Sequence, residues 1–120
     1  MKTINKILKL NSIEYFTQHI RIINSVLPVK LTEKEIEILG GLLYIFYKED
    51  VYIFSLEGRR LLSNLLKIDH SNLNKYIKGL TNKGFIVSNK GLETLLPLIL
   101  PTDTKSQQYN FKIELNEMDS

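Results

Sequence analysis

Residues 69–83 carry side chains whose types and spacing suit contact with nucleic acid. At about 100° per residue, a helix here places Leu73, Ile77 and Leu80 on one face and polar side chains on the other. The polar set has no acidic member and comprises Ser71, Lys75, Lys78 and Asn82, with Asn74 at its flank. An asparagine amide pairs with the edge of adenine, and lysine reaches guanine or a phosphate. The face is therefore either a nucleic-acid-binding surface or an ordinary solvated one.

Residues around this face extend the candidate set. Asn72 suits a base contact, and Ser71 lies where the free backbone N–H groups of a helix N-terminus attract phosphate. His70 is expected at the surface of the first turn, either without a ligand or against a phosphate. Arg59 and Arg60 begin the preceding helical segment and suit the DNA backbone. The candidate DNA-binding residues are Arg59, Arg60, His70, Ser71, Asn72, Asn74, Lys75, Lys78 and Asn82.

Positive charge is concentrated around the same stretch. The chain as a whole has a net charge of +3. Residues 57–90 hold seven Lys/Arg against two Asp/Glu, and residues 1–31 hold five against one. Residues 32–56 and 93–120 each carry a net charge of −3. This segregation favours a local nucleic-acid contact over a uniformly basic surface.

Enzyme chemistry is not expected. His19 and His70 are far apart in the sequence, and His19 is expected to be peripheral. No HExxH spacing or glycine-rich phosphate loop occurs, and the pair Gly40-Gly41 lies within a helical pattern. The chain has no cysteine. We therefore expect no catalytic residue, no metal site and no cofactor.

Length and composition predict one soluble domain. A chain of 120 residues suffices for a modest core, and no apolar run reaches the roughly 18 residues of a membrane span. The first residues lack the features of a signal peptide, so a cytoplasmic location is expected. Alanine is absent while isoleucine, asparagine and lysine are frequent. This usage indicates A/T-rich codons, which by itself explains many of the lysines and asparagines.

Four segments have helical periodicity and begin at residues that suit an N-cap. They are residues 12–27, 32–50, 55–67 and 69–83. Thr32 and Glu35 form a capping box, while Ser55 and Asp69 suit the N-caps of the third and fourth helices. Only two or three residues separate those two helices, which is typical of a helix-turn-helix.

Three segments read as strands. Residues 51–54 are all β-branched or aromatic, and residues 85–87 follow Gly84, a good helix C-cap. Residues 109–115 alternate apolar and polar side chains, which predicts the antiparallel partner of 85–87. The apolar run at 92–101, broken by two prolines, has no assigned conformation.

The order of these elements, carried by LTEKEIEIL, LLSNLLKIDHSNLNKYIKGL and NKGFIV, resembles the winged helix-turn-helix family of DNA-binding domains. The resemblance implies a mainly α fold with a small antiparallel β-wing, an N-terminal helical extension at 1–30 and the winged domain at 31–116. It implies a sequence-specific protein that binds double-stranded DNA in the major groove through helix 69–83. A transcriptional or phage regulatory role fits, because the arrangement is also similar to small phage-encoded proteins.

A protein-interaction or structural module, such as an adaptor or a phage assembly factor, is the alternative function. Residues 92–101 carry no basic side chain, unlike a DNA-contacting wing, and either cover the protein's own core or dock a partner. The apolar stripe at 13–27 either packs on that core or pairs two copies, so a homodimer is expected if it is free.

Overall fold

The computed structural model describes residues 3–116, which form four α-helices and one two-stranded antiparallel sheet. The elements are α1 (Ser12–Asn24), α2 (Glu33–Lys48), α3 (Leu56–Leu66), α4 (His70–Asn82), β1 (Ile86–Asn89), β2 (Leu92–Leu95) and a 3-10 turn at Pro97–Ile99. The prediction of a mainly α chain with a small antiparallel hairpin is confirmed.

Side-chain caps start the helices at or next to the expected residues. Thr32 and Glu35 exchange the two hydrogen bonds of a capping box at the start of α2, at 3.2 and 2.8 Å. Ser55 caps α3 by accepting from the Gly58 N–H. In α1 the cap is Asn11 rather than Ser12, because the Asn11 amide oxygen accepts from the Glu14 N–H. Local sequence therefore defines where these helices begin.

Gly84 ends α4 as the sequence predicts. Its φ of +88° turns the chain out of the helix, and its N–H donates to the carbonyl oxygen of Thr81. The Phe85 N–H donates to the Leu80 carbonyl oxygen at 3.0 Å, which completes a Schellman motif. Phe85 and Leu80, the two positions of this motif that are often apolar, are both buried. This turn leads the chain directly from α4 into β1.

α2 is the central helix, and two glycines allow its neighbours to approach closely. A Cβ atom on Gly40 would lie 2.7 Å from the Thr17 Cα of α1, and one on Gly41 would lie 2.6 Å from a methyl carbon of Leu62 in α3. Gly40 and Gly41 are poor helix formers, but their lack of a side chain allows α1 and α3 to pack closely against α2. The fully buried side chains are Phe16, Ile20, Ile38, Leu39, Leu42, Leu43, Ile45, Leu62, Leu73, Leu80 and Ile99. Phe46 of α2 and Leu65 of α3 follow the helical spacing of buried residues in their helices but are exposed.

The hairpin differs from the expected one. β1 pairs with β2, in a register that places Ile86 opposite Leu95 and Asn89 opposite Leu92. The predicted partner, 109–115, forms no strand. Both residues of the connecting turn, Lys90 and Gly91, have positive φ, as a two-residue type I′ hairpin loop requires. This short loop places β2 directly beside β1. Pairing of β1 with 109–115 would instead require a much longer loop to be closed, at a higher cost in chain entropy.

Residues 51–54 form a turn and not the predicted strand. The Ser55 N–H donates to the Tyr52 carbonyl oxygen, which folds the chain back before α3. Ile53 and Phe54 are buried in the core, and the Tyr52 hydroxyl donates to the Glu93 carbonyl oxygen of β2. The β-branched and aromatic residues of this segment therefore serve packing rather than strand pairing.

The chain after the 3-10 turn crosses the outer side of α1. The Tyr15 hydroxyl donates to the Asp103 carbonyl oxygen at 2.7 Å. His19 is buried, which corrects the expectation of a peripheral residue, and its Nε2 contacts the Ile99 carbonyl oxygen at 2.9 Å. Since a carbonyl can only accept, Nε2 carries the proton and Nδ1 accepts from the Tyr109 hydroxyl at 2.6 Å. These contacts fasten residues 99–109 onto α1.

The apolar surfaces proposed for partners are largely internal. Phe16, Ile20 and Leu27 of the stripe at 13–27 are buried in the protein's own core, and Ile23 packs partly buried against it. In the run at 92–101, Leu95 and Ile99 are buried, and the core interpretation holds for them. Leu92 and Leu98 remain exposed.

Candidate nucleic-acid interface

The two faces of α4 separate as the sequence predicts. Leu73, Ile77 and Leu80 are buried, while Tyr76 packs partly buried beside them. The exposed side chains of the opposite face are those of Ser71, Lys75, Lys78 and Asn82. α4 has no acidic residue from His70 to Asn82. Among the described residues, no carboxylate lies within 4 Å of the Lys75 or Lys78 ammonium.

The carboxylate of Asp69 caps the N-terminus of α4. The Asp69 carboxylate accepts from the Asn72 N–H at 2.9 Å, the Asn72 amide at 3.0 Å and the Ser71 hydroxyl at 2.8 Å. The Asn72 N–H and the other hydrogen bonds at this carboxyl hold the pKa of Asp69 below its ordinary value. The expectation of free N–H groups is therefore wrong for Asn72. Ser71 and Asn72 support the cap, and His70 is exposed beside it.

A hydrogen bond joins α3 and α4. The guanidinium of Arg59 in α3 donates to the amide oxygen of Asn74, on the flank of α4. Arg60, the next residue, is exposed. The structure thus brings Arg59 and Asn74 together, although 15 residues separate them in the sequence.

Two lysines beyond the predicted set lie in turns of the chain, one between α3 and α4 and the other between β1 and β2. Lys67 is the C-cap of α3 with a φ of 55°, and Lys90 is at the tip of the β1–β2 hairpin with a φ of 54°. They are the only non-glycine residues of the described chain with positive φ. Both lysines are exposed. The sequence signal for Lys90 is Asn89-Lys90-Gly91 between two apolar runs, which is typical of a tight hairpin turn.

A third lysine near α4 is bound internally. The Lys83 ammonium lies 2.6 Å from the Glu35 carboxylate and donates to the Lys30 carbonyl oxygen. Burial alone would raise the pKa of Glu35, but the hydrogen bonds from Lys83 and the Thr32 N–H outweigh it and lower this pKa. Lys83 therefore attaches the end of α4 to the start of α2 and is not part of the exposed cationic set.

The buried histidine is a structural group. Burial lowers the pKa of His19, and its hydrogen bond to Ile99 offsets only part of that effect. Burial, with a smaller contribution from Tyr15, raises the pKa of Tyr109 to about 12. The pair is therefore neutral near pH 7. Within residues 3–116, no three His, Asp or Glu side chains group as a metal site requires.

Comparison of the chain with protein-family models, with curated proteins and with solved structures gives no match. None of the helices in the described part of the chain is both long and apolar enough to span a bilayer.

Proposed function

We propose that this chain is a sequence-specific double-stranded DNA-binding protein of the winged helix-turn-helix type, with a transcriptional or phage regulatory role. α2, α3, α4, β1 and β2 follow one another in the order that the resemblance implies. The turn between α3 and α4 contains only residues 67–69. The hairpin at 86–95 takes the place of the wing. α4 is the recognition helix and enters the major groove.

The observation that carries the proposal is the exposed face of α4. Lys75 and Lys78 lie on it without a carboxylate neighbour within the described residues, and the opposite face of the helix is anchored in the core. A solvated helix usually mixes acidic and basic residues, whereas a helix placed against a polyanion excludes the acidic ones. Asn82 lies on the same face and adds an amide for base contact.

The hairpin supplies the basic residue that the run at 92–101 lacks. Because β1 pairs with β2, the tip of the wing is Lys90 rather than part of that apolar run. Lys90, Lys67 and Arg60 are exposed, and their side chains suit contact with phosphates of the duplex.

A salt titration on a fixed duplex, selected from a random pool, tests the proposal. Wild type should bind with an affinity that falls steeply with salt, because phosphate contacts release counterions. If each lysine meets one phosphate, Lys75→Ala with Lys78→Ala should lower the log–log slope by about 1.8, at roughly 0.9 per contact. Both side chains are exposed, so the melting temperature should stay within experimental error.

The matched control removes two lysines from another surface. Lys48 and Lys105 are exposed and lie beside Tyr15 and Phe16 of α1. Lys48→Ala with Lys105→Ala changes the net charge by the same amount and should leave the slope unchanged. Wild type without salt-sensitive binding, or equal effects of the two double variants, contradicts the proposal.

A protein-interaction module is the second candidate function. Leu92 and Leu98 retain 61% and 66% exposure at the hairpin and the 3-10 turn, and Ile4 and Ile7 are more than 80% exposed in the N-terminal segment. Large apolar side chains in such positions suit a protein partner. Tight, salt-insensitive association with one protein, lost on changing Leu92 and Leu98 to serine, would support this function over DNA binding.

A further inference from the structure

Arg59 and Asn74 are in direct contact, and this contact determines which groups the two side chains can offer to a ligand. Arg59 offers N–H donors and no acceptor, so its guanidinium must contact the amide oxygen of Asn74 and not the amide nitrogen. This contact fixes the orientation of the amide. The oxygen is directed at Arg59, and the Nδ2 group is left to donate to another molecule.

The fixed amide is poorly suited to adenine. Adenine recognition by asparagine uses both ends of the amide, because the oxygen accepts from N6 and the nitrogen donates to N7. In this protein the oxygen is bound to a charged donor, and such hydrogen bonds are roughly twice as strong as neutral ones. The two side chains together present N–H donors and one positive charge. Their best ligand is an oxyanion that only accepts.

The position of the pair favours the DNA backbone over the bases. Asn74 lies at the flank of α4 that contacts α3, whereas Ser71, Lys75 and Lys78 occupy the exposed face. When a recognition helix enters the major groove, the preceding helix crosses the backbone. Arg59 and Arg60 lie near the start of that preceding helix.

We propose that Arg59 and Asn74 form one binding unit for a backbone phosphate of double-stranded DNA, and that Asn74 does not read a base. This inference rests on the proposed function. It changes the role that the sequence suggests for Asn74, from base recognition to positioning of the protein on the duplex. Base readout then belongs to the exposed face of α4, where Asn82 offers its amide.

The test combines salt titration on the selected duplex with a new selection from a random pool for each variant. Asn74→Ala should weaken binding to all duplexes alike, by about fivefold for one hydrogen bond, and should leave the selected motif unchanged. Arg59→Ala should lower the log–log salt slope by about 0.9. The double variant should bind like Arg59→Ala alone, because both changes remove the same contact.

Arg60→Ala is the matched control, since it removes the same charge from the adjacent exposed position. Its effect should add to that of Asn74→Ala. Melting temperatures equal to that of wild type confirm that each variant is folded. A changed base at one position of the motif selected by Asn74→Ala, or additive effects of Arg59→Ala and Asn74→Ala, overturns this inference alone. Absence of salt-sensitive binding by wild type overturns it together with the proposed function.

Discussion

Replacing Gly40 with alanine should destabilise the protein, because α1 and α2 cross at this glycine. The new Cβ would lie 2.2 Å from the Thr17 Oγ1 and 2.7 Å from the Thr17 Cα. The Cα is backbone and cannot rotate away, so the cost is at the upper end of the overpacking range, about 3 kcal/mol. The better helix propensity of alanine offsets about 1 kcal/mol of this. The net loss is about 2 kcal/mol, or roughly 8 °C in Tm at about 4 °C per kcal/mol.

Urea denaturation followed by circular dichroism measures this loss, with Gly79→Ala as the control. A Cβ on Gly79 has its nearest neighbour, the Glu35 Oε2, at 3.6 Å, which is an ordinary van der Waals distance. Gly79→Ala should therefore gain up to about 1 kcal/mol from helix propensity. Adding Thr17→Ala to Gly40→Ala should not restore stability, since the clash with the backbone of residue 17 remains. Wild-type or higher stability of Gly40→Ala would refute this packing of α1 on α2.

Four further outcomes are expected. Leu73→Ala truncates a fully buried side chain and should cost about 2–5 kcal/mol in urea denaturation. Ile99→Ser should lower the melting temperature strongly, because it buries a hydroxyl in the core, and an unchanged melting curve would show that Ile99 is not internal. The pKa of Glu35 is lowered in the folded state, so ionised Glu35 stabilises the protein above its ordinary pKa of 4.5, and this stabilisation is lost as the pH falls below that value. Glu35→Gln removes the ionisable group. The free energy of unfolding, measured in urea, should therefore depend less on pH between pH 5 and 3 in this variant than in wild type. Lys90→Gly should relieve a left-handed backbone and gain about 1 kcal/mol, while it weakens DNA binding.

Helices were predictable from this sequence because their signals are local. The side chains of Thr32, Ser55 and Asp69 cap N–H groups only three residues away, and Gly84 ends α4 within the same turn. Strands depend on a partner, which local patterns do not identify. The alternation at 109–115 is regular but unpaired, because the tight turn after β1 supplies a closer strand.

The candidate interface was predictable to a similar extent. The separation of Lys75 and Lys78 from the buried face follows from helical periodicity alone. The contact between Arg59 and Asn74 depends on how α3 packs against α4, which periodicity does not specify. The position of Lys90 at the tip of the hairpin depends on the strand pairing, which local patterns do not identify either.

The fastening of residues 99–109 onto α1 has a consequence for synthesis of the chain on the ribosome. α1 is made before α2, its packing partner, and α2 before α3, α4 and the hairpin. The residues that cover the outer side of α1, Ile99 and Tyr109, are made after the hairpin. His19 therefore stays uncovered while α2, α3, α4 and the hairpin are being translated. Packing of α1 on α2 can precede this step, but α1 is enclosed only after residue 109 has emerged.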